Sequence, residues 1–217
     1  MPKNKFWLLL IPSLLLNILL VVLKAKPLQS AFTVEVIDVI DGDTFVTSDK
    51  LRIRLFGVDA PETGACMGDE AKDRLGELVI DKRVSLTEPI PDKFGRLMAL
   101  VYVDDLFVNE DIVKKGLGLY QRQGGTETET LKSANEYARD NSLGIFSEQC
   151  YQKDTNPDNP DCIIKGNIAS RTGEKIYYLP NCSNYGQVII EKSEGEDWFC
   201  TEKEAQDAGY TKSVNCY

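Results

Sequence analysis

Acidic and basic residues that could do chemistry are concentrated in three short segments, which read DVIDGDT (38–44), RLFGVDAPE (54–62) and DKFGR (92–96). The 217-residue chain contains no histidine. This absence excludes Ser-His-Asp and Cys-His nucleophilic catalysis and zinc sites of the HExxH type. Any catalysis must therefore use carboxylates, arginine, lysine, tyrosine, cysteine or a metal held by oxygen.

Taken one at a time, the three segments have ordinary structural explanations. Asp-Gly is frequent in hairpin turns, and DAPE is typical of the residues that precede a helix. An arginine on a strand often packs the aliphatic part of its side chain against the sheet. Taken together, they indicate a site. Carboxylates at Asp43 and Asp59 with a loop carbonyl would suit Ca²⁺, which takes oxygen ligands in loose geometry. Arg54 and Arg96 could stabilise a phosphoryl group, and Glu62 could orient or deprotonate water.

The elements that must position these residues are strands first and helices later. Alternating β-branched residues predict five strands, at 33–40, 44–47, 51–56, 84–87 and 97–103. Helices are predicted near 69–80, after an N-cap at Asn109, and from Thr128 or Thr130. This order indicates an α+β fold, mainly β, in which a small barrel is accompanied by helices.

The segments VIDGDT, RLFGVDAPE, DKFGR and VNEDIVKKG, in this order, resemble the staphylococcal nuclease (thermonuclease) family. The resemblance runs from about residue 33 to residue 148 and ends in LGIFSE. It implies an OB-type five-stranded barrel with three helices. It also implies Ca²⁺-dependent hydrolysis of phosphodiester bonds in DNA and RNA.

The resemblance assigns a role to each residue that matches the family's motifs. Asp43 and Asp59 would be carboxylate ligands of Ca²⁺, and Ala60 would be a ligand through its backbone carbonyl. Glu62 falls on the glutamate assigned to the attacking water, as its general base or its positioner. Arg54 falls on a phosphate-binding arginine that acts in both the ground state and the transition state.

The same resemblance covers a second group of residues, in which some positions match the family and others differ from it. Arg96 would act on the developing charge and the leaving oxygen, and Lys93 matches a lysine beside the terminal phosphate. Phe94 stands where the staphylococcal enzyme has tyrosine, so a phosphate hydrogen bond is expected to be absent. The loops at 62–70 and 116–126 are shorter than in that enzyme, and Tyr120 is expected to replace a base-stacking tyrosine.

Six cysteines form an even set, which behind an export-type segment favours disulfides. Four of them lie in a small C-terminal module, 162–217, where three pairings are open and the lack of CxxC pairs disfavours zinc. A capping box at Thr201–Glu204 predicts a helix in this module. The family resemblance suggests that Cys66 pairs with Cys150, with two unpaired thiols as the alternative.

Residues 6–23 read FWLLLIPSLLLNILLVVL and carry no charge, and a helix of this length nearly crosses a hydrocarbon core of about 30 Å. An uncleaved transmembrane helix is favoured over a cleaved signal, whose apolar run is usually shorter. We therefore expect a single-pass cell-membrane protein with an extracytoplasmic nuclease domain, or a secreted protein if the segment is cleaved. The predicted organisation is an anchor or signal (1–30), a thermonuclease-like domain (31–150), a linker (151–161) and the small module (162–217).

The net charge of −9 argues against a general nucleic-acid coat protein. A bound cation can reverse the sign of the local charge, so DNA and RNA, preferentially single-stranded, are still the expected substrates. A membrane, contacted through residues 6–23, is a further expected partner. No protein partner can be inferred. Weak long-range electrostatic steering predicts slower capture of polynucleotide, and a weaker dependence of activity on salt, than a basic homologue would show. Two alternatives stay open: a non-catalytic OB-fold nucleic-acid-binding protein and a Ca²⁺-stabilised adhesion module.

Overall fold

Residues 32–216, which the computed structural model describes, begin with a closed barrel. Its strands and helices are β1 (Phe32–Val39), β2 (Thr44–Thr47), β3 (Arg52–Leu55), β4 (Val58–Asp59), α1 (Gly68–Val79), β5 (Arg83–Pro91), β6 (Leu97–Val103), β7 (Leu106–Phe107), α2 (Val108–Lys114), β8 (Leu119–Tyr120) and α3 (Thr128–Asp140). The sheet runs β3-β2-β1-β5-β6-β7, and a parallel pairing of β3 with β6 closes it. The expected α+β barrel of five main strands is therefore confirmed.

Alternation along the strands separates the barrel core from its surface. Val34 and Val36 on β1 and Ile53 and Leu55 on β3 are buried, whereas the residues between them are exposed or half-buried. Each such side chain stabilises the fold by about 1.5–3 kcal/mol when it leaves water. The period of two that predicted these strands is thus the same pattern that forms the core.

The barrel is packed by α1, α2 and α3. The first buries Ala71, Leu75, Leu78 and Val79 along one face, and the third buries Leu131, Ala134 and Ala138. Both helices agree with the predicted positions.

The prediction for α2 was wrong in one respect, because Asn109 is not its N-cap. The helix already begins at Val108, and the Asn109 side chain is buried beneath it. Its Oδ1 accepts from the Val101 N–H at 2.9 Å, and its Nδ2 donates to the Phe56 carbonyl at 2.9 Å. An amide that satisfies buried backbone groups of two barrel segments stabilises the barrel more than a solvent-exposed cap would.

The C-terminal module is a second small sheet with one helix. Its elements are β9 (Tyr151–Gln152), β10 (Ile164–Ile168), β11 (Lys175–Tyr178), β12 (Ile190–Glu191), β13 (Asp197–Phe199), α4 (Glu202–Asp207) and β14 (Thr211–Lys212). The strands β13-β10-β11-β14 form one sheet, and β9 pairs with β12. The predicted capping box is confirmed, since the Thr201 hydroxyl accepts from the Glu204 N–H and the Glu204 side chain accepts in return.

Three disulfides are present in the described residues, and no cysteine among them is free. Cys66 pairs with Cys150, as the resemblance suggested. The other two bonds are Cys162–Cys200 and Cys182–Cys216, which decides among the three pairings that the sequence left open. These bonds supplement two small hydrophobic clusters in the module, as is common where a core is small.

The segment predicted as a linker begins inside the folded structure. Tyr151 and Gln152 form β9, and the Lys192 N–H donates to the Cys150 carbonyl at 2.8 Å. The barrel and the module accordingly belong to one compact unit.

The predicted membrane segment, 6–23, lies outside the described residues. Among residues 32–216, no helix has both the length and the apolar character needed to cross a bilayer.

Candidate active site

The side chain of Arg54 joins the two carboxylates that the sequence analysis singled out. Its Nη1 donates to Asp43 Oδ1 at 2.8 Å, and its Nη2 donates to Asp59 Oδ1 at 2.5 Å. A third contact, from Nη2 to the Val58 carbonyl, is 3.4 Å long. Because the guanidinium is planar and its donors are fixed, these contacts bring both carboxylates to one side of the barrel.

Asp43 is the most deeply buried of these groups, with only 2% of its surface exposed. Its carboxylate accepts from the Thr44 hydroxyl at 2.7 Å and from the Ala60 N–H at 3.0 Å. Burial raises the pKa of Asp43 from 3.8 to about 7, although Arg54 and the Ala60 N–H act in the opposite direction. Further positive charge beside this carboxylate would stabilise its ionised form.

The turn that presents Asp43 depends on the lack of a side chain at Gly42. A Cβ atom at this position would lie 2.5 Å from the Ala71 Cβ and 2.7 Å from the Ala60 Cβ. The Asp43 N–H donates to Asp41 Oδ1 at 3.1 Å, which closes the turn. The turn therefore packs directly between α1 and the segment that follows β4.

Asp59 lies at the end of β4, where it is partly exposed to solvent. The antiparallel pairing of β4 with β8 places Asp59 opposite Leu119, and the Gln121 side-chain amide donates to Asp59 Oδ2. Gln121 was missed by sequence reasoning, because nothing in a lone glutamine 62 residues away marks it as a neighbour of Asp59.

Glu62 lies in an exposed loop directly after Asp59 and Ala60. Its carboxylate has no hydrogen-bond partner among residues 32–216 and is open to solvent, as a group that contacts water must be. The loop is held from both sides: Cys66 is bonded to Cys150, and a Cβ at Gly68 would lie 2.0 Å from the Glu62 carbonyl. The start of α1 therefore fits against the Glu62 backbone only because residue 68 is glycine.

Arg96 is positioned by a tight turn and by the register of the barrel. Asp92 accepts from the Arg96 N–H at 2.9 Å and from its Nε at 2.7 Å. Arg96 directly precedes β6, in which Met98 lies opposite Arg54 in the parallel pairing with β3.

The remaining predicted contacts are Lys93 and Tyr120. Lys93 Nζ and Arg96 Cζ lie 4.9 and 5.4 Å from the centre of the Phe94 ring, which is 71% exposed. Tyr120 instead packs against the barrel core, and its hydroxyl is shielded from solvent with no hydrogen-bond partner in the described part of the chain. A substrate contact through this hydroxyl would require the ring to move, so the role of Tyr120 stays a prediction.

The donor set fits a hard divalent cation in its chemistry, because every donor is an oxygen. Asp43 and Asp59 contribute carboxylates, and the Ala60 carbonyl follows directly in the chain. Residues 32–216 contain no cluster of three or more acidic, cysteine or histidine side chains arranged to hold a metal. Any cation here would thus rely on two carboxylates, backbone oxygen and water.

Residues 52–148 match the family described as staphylococcal nuclease homologue. A micrococcal nuclease of Shigella flexneri is 30% identical over 141 residues, which cover 59% of this chain and 81% of that protein. The chain belongs to the staphylococcal nuclease homologue family. This chain is also similar to an uncharacterized endonuclease of Haemophilus influenzae, at 31% identity over 59% of this chain and 70% of that protein. An uncharacterized endonuclease of Escherichia coli is 34% identical over 52% of this chain and 76% of that protein.

The family match covers the chain from β3 to α3, whereas β1 and β2 precede it. The family match ends at residue 148, so the module that follows lies outside it. Arg54, Asp59, Glu62, Lys93, Arg96 and Tyr120 fall within the matched residues, whereas Asp43 precedes them.

Proposed function

We propose that this chain is a Ca²⁺-dependent nuclease that hydrolyses phosphodiester bonds of single-stranded or frayed DNA and RNA. The proposal rests mainly on the guanidinium group of Arg54. Its two terminal nitrogens form ion pairs with the carboxylates of Asp43 and Asp59 on one side of the barrel. The relatives named as nucleases support hydrolysis of nucleic-acid ester bonds.

Arg54 and Arg96 would bind and neutralise the phosphoryl group. A guanidinium that donates to carboxylate oxygens can donate to phosphate oxygens in the same geometry. Arg54 would hold the phosphate in both the ground state and the transition state. Arg96, directly before β6, would stabilise the charge that develops on the leaving oxygen.

Glu62 would act on the attacking water. As the new bond from the water oxygen to phosphorus forms and the bond to the leaving oxygen breaks, the water proton passes to the Glu62 carboxylate or to solvent that Glu62 orients. The leaving oxygen then takes a proton from solvent. The exposed position of Glu62 and the loop that fixes its backbone suit this role.

The cofactor that we propose is Ca²⁺, held by Asp43, Asp59 and the Ala60 carbonyl. When bound, it would supply charge stabilisation as a Lewis acid. All of these donors are oxygen atoms, which Ca²⁺ prefers. Lys93 would add positive charge beside the phosphate.

The proposal is tested by incubating the full chain with heat-denatured DNA, first with Ca²⁺ and then with EDTA. Fragmentation that stops on chelation is the expected result. Retarded migration of intact DNA would support the non-catalytic OB-fold binder instead. The absence of both fragmentation and retardation would contradict any role in nucleic-acid chemistry and leave the adhesion alternative.

We also propose that residues 6–23 anchor the protein in the cell membrane, with the nuclease domain on the extracytoplasmic side. The three disulfides support an oxidising compartment. Protease added to intact cells should remove the nuclease domain, and the membrane fraction should keep the protein after alkaline extraction. A protease-protected protein with free thiols would contradict the proposed location.

A further inference from the structure

A cleft of about 1220 Å³ separates the candidate active site from the C-terminal module. Asp59, Leu119 and Gln121 line it on the barrel side. On the other side it is lined by the loop 169–174, which joins β10 to β11, and by the segment 184–196. Ligand pockets for one small molecule are usually about 300–1,000 Å³, so this cleft has room for more than a single nucleotide.

The module wall of this cleft is fixed to the active-site loop. The Cys66 N–H donates to the Lys192 carbonyl at 3.3 Å, and the Lys192 N–H donates to the Cys150 carbonyl at 2.8 Å. The Trp198 indole donates to Gln152 Oε1 at 2.7 Å in a buried contact. Together with the Cys66–Cys150 bond, these contacts hold the module beside the loop that carries Glu62.

The polar side chains along this wall include groups that are free to bind a ligand. Arg171 is exposed in the loop 169–174 and forms no ion pair or hydrogen bond with any of residues 32–216. Gln187 is exposed. Asn184 lines the same wall, and its Oδ1 is shielded from solvent without a partner in the described part of the chain, so a contact through this atom requires the side chain to rotate. One unpaired guanidinium and two amides match the donors and acceptors of a nucleotide strand, since arginine binds phosphate and amides pair with base edges.

Carboxylates on the same wall restrict how a strand can lie. Glu191 and Glu194 line the cleft together with Asp59, and they disfavour a phosphate backbone beside them. Glu196 is already occupied, because its carboxylate accepts from the Ile168 and Glu191 N–H groups. A strand in the cleft would therefore keep its phosphates toward Arg171 and turn its bases toward the carboxylates and amides.

We propose that this cleft is an extended subsite for single-stranded nucleic acid, in which Arg171 binds a backbone phosphate that flanks the scissile one and Asn184 and Gln187 contact unpaired bases. This inference rests on the proposed nuclease function, and it gives the C-terminal module a role in substrate binding. A duplex would keep its bases paired and could not offer their edges to this wall.

The test measures binding of a fluorescent single-stranded oligonucleotide of about 12 nucleotides to the full chain by anisotropy, in EDTA so that no cleavage occurs. We expect Arg171→Ala to weaken binding by about three- to tenfold and to reduce the slope of log K against log salt by about 0.7. Lys203→Ala is the matched control. It removes one positive charge from the same module, at an exposed helix position that does not line the cleft. Equal affinity and equal slope in the two variants would overturn the inference.

A second measurement separates this inference from the proposed function. A chromogenic nucleoside phosphodiester, which has no flanking nucleotides, should be hydrolysed with Ca²⁺ by the wild-type chain and by Arg171→Ala at the same rate. If the wild-type chain does not hydrolyse it but Arg171→Ala still binds the oligonucleotide less tightly, the catalytic proposal fails and the subsite stands. Gln187→Ala provides a second variant, for which weaker oligonucleotide binding is likewise expected and unchanged binding counts against base contacts.

Discussion

Replacing Arg54 with alanine should abolish most of the activity, because its guanidinium group can make two charge-assisted hydrogen bonds at once, as it does to Asp43 and Asp59. Contacts of this type contribute about 1.5–3 kcal/mol each. If phosphate oxygens take the same donors in the transition state, the loss is about 3–6 kcal/mol, which corresponds to a fall of about 10²–10⁴ in turnover. Arg54→Lys keeps the charge but loses the fork, so it should recover less than half of that free energy.

The same substitution should also lower stability in the absence of metal, since it leaves the Asp43 carboxylate buried without its guanidinium partner. Breaking a buried pair by removing one member costs about 3–5 kcal/mol. The exposed side of the fork, toward Asp59, adds little to this cost. Urea unfolding in EDTA measures the loss, and it also defines conditions in which the variant is fully folded for the activity assay.

Turnover is measured on heat-denatured DNA with saturating Ca²⁺, under those folded conditions. The matched control is Arg52→Ala, which removes an exposed arginine from the same strand, two residues away. The control should retain near wild-type turnover. Similar turnover in Arg54→Ala and Arg52→Ala would refute the role assigned to the fork.

Three further predictions concern Glu62, Gly68 and Glu196. Glu62→Gln should lower kcat by about 10²–10⁴ with little change in KM, and a change confined to KM in steady-state cleavage would contradict its action on water. Gly68→Ala should lower both the unfolding midpoint and kcat, because its Cβ would lie 2.0 Å from the Glu62 carbonyl, whereas Gly76→Ala, whose nearest neighbour is at 3.4 Å, should not lower kcat. Equal kcat in these two glycine variants would show that the Glu62 loop does not depend on close packing of residue 68 against the Glu62 carbonyl. Burial raises the pKa of Glu196 from 4.5 to about 7, so between these pH values the native state binds a proton that the unfolded state has lost. The free energy of unfolding should therefore fall by about 3 kcal/mol as pH rises from about 4.5 to 7. Urea unfolding midpoints measure this fall, and Glu196→Gln should remove it. An identical fall in the variant would show that Glu196 is not its cause.

The barrel and the proximity of Asp43 and Asp59 could be predicted from the sequence because both depend on local patterns. Alternation in TVEVIDVI and LRIRLF determines which side chains enter the core, and the same strands then carry Arg54 on the opposite face. Asp43 and Asp59 follow from short motifs at the ends of strands. A residue's position in the fold can be predicted in this way where it is determined by a few neighbouring residues in the chain.

The parts that could not be predicted depend on contacts between distant segments. Gln121 reaches Asp59 only because β8 pairs with β4, and a lone glutamine carries no signal of this. Asn109 was expected to cap a helix, yet it lies in the first turn of α2 with its side chain buried, since the backbone groups that this side chain satisfies belong to other segments. The packing of the module beside the Glu62 loop depends on strand pairing and a disulfide that join residues far apart in the chain.

The rate of DNA cleavage as a function of free Ca²⁺ tests the central claim most directly, because the proposed reaction depends on Asp43 and Asp59 holding that cation. The wild-type chain should show saturable activation that EDTA abolishes and added Ca²⁺ restores. Asp59→Asn should require a higher Ca²⁺ concentration for half-maximal activity, since it removes one of the two proposed carboxylate ligands. Cleavage that continues in EDTA, or an unchanged Ca²⁺ dependence in Asp59→Asn, would contradict the account.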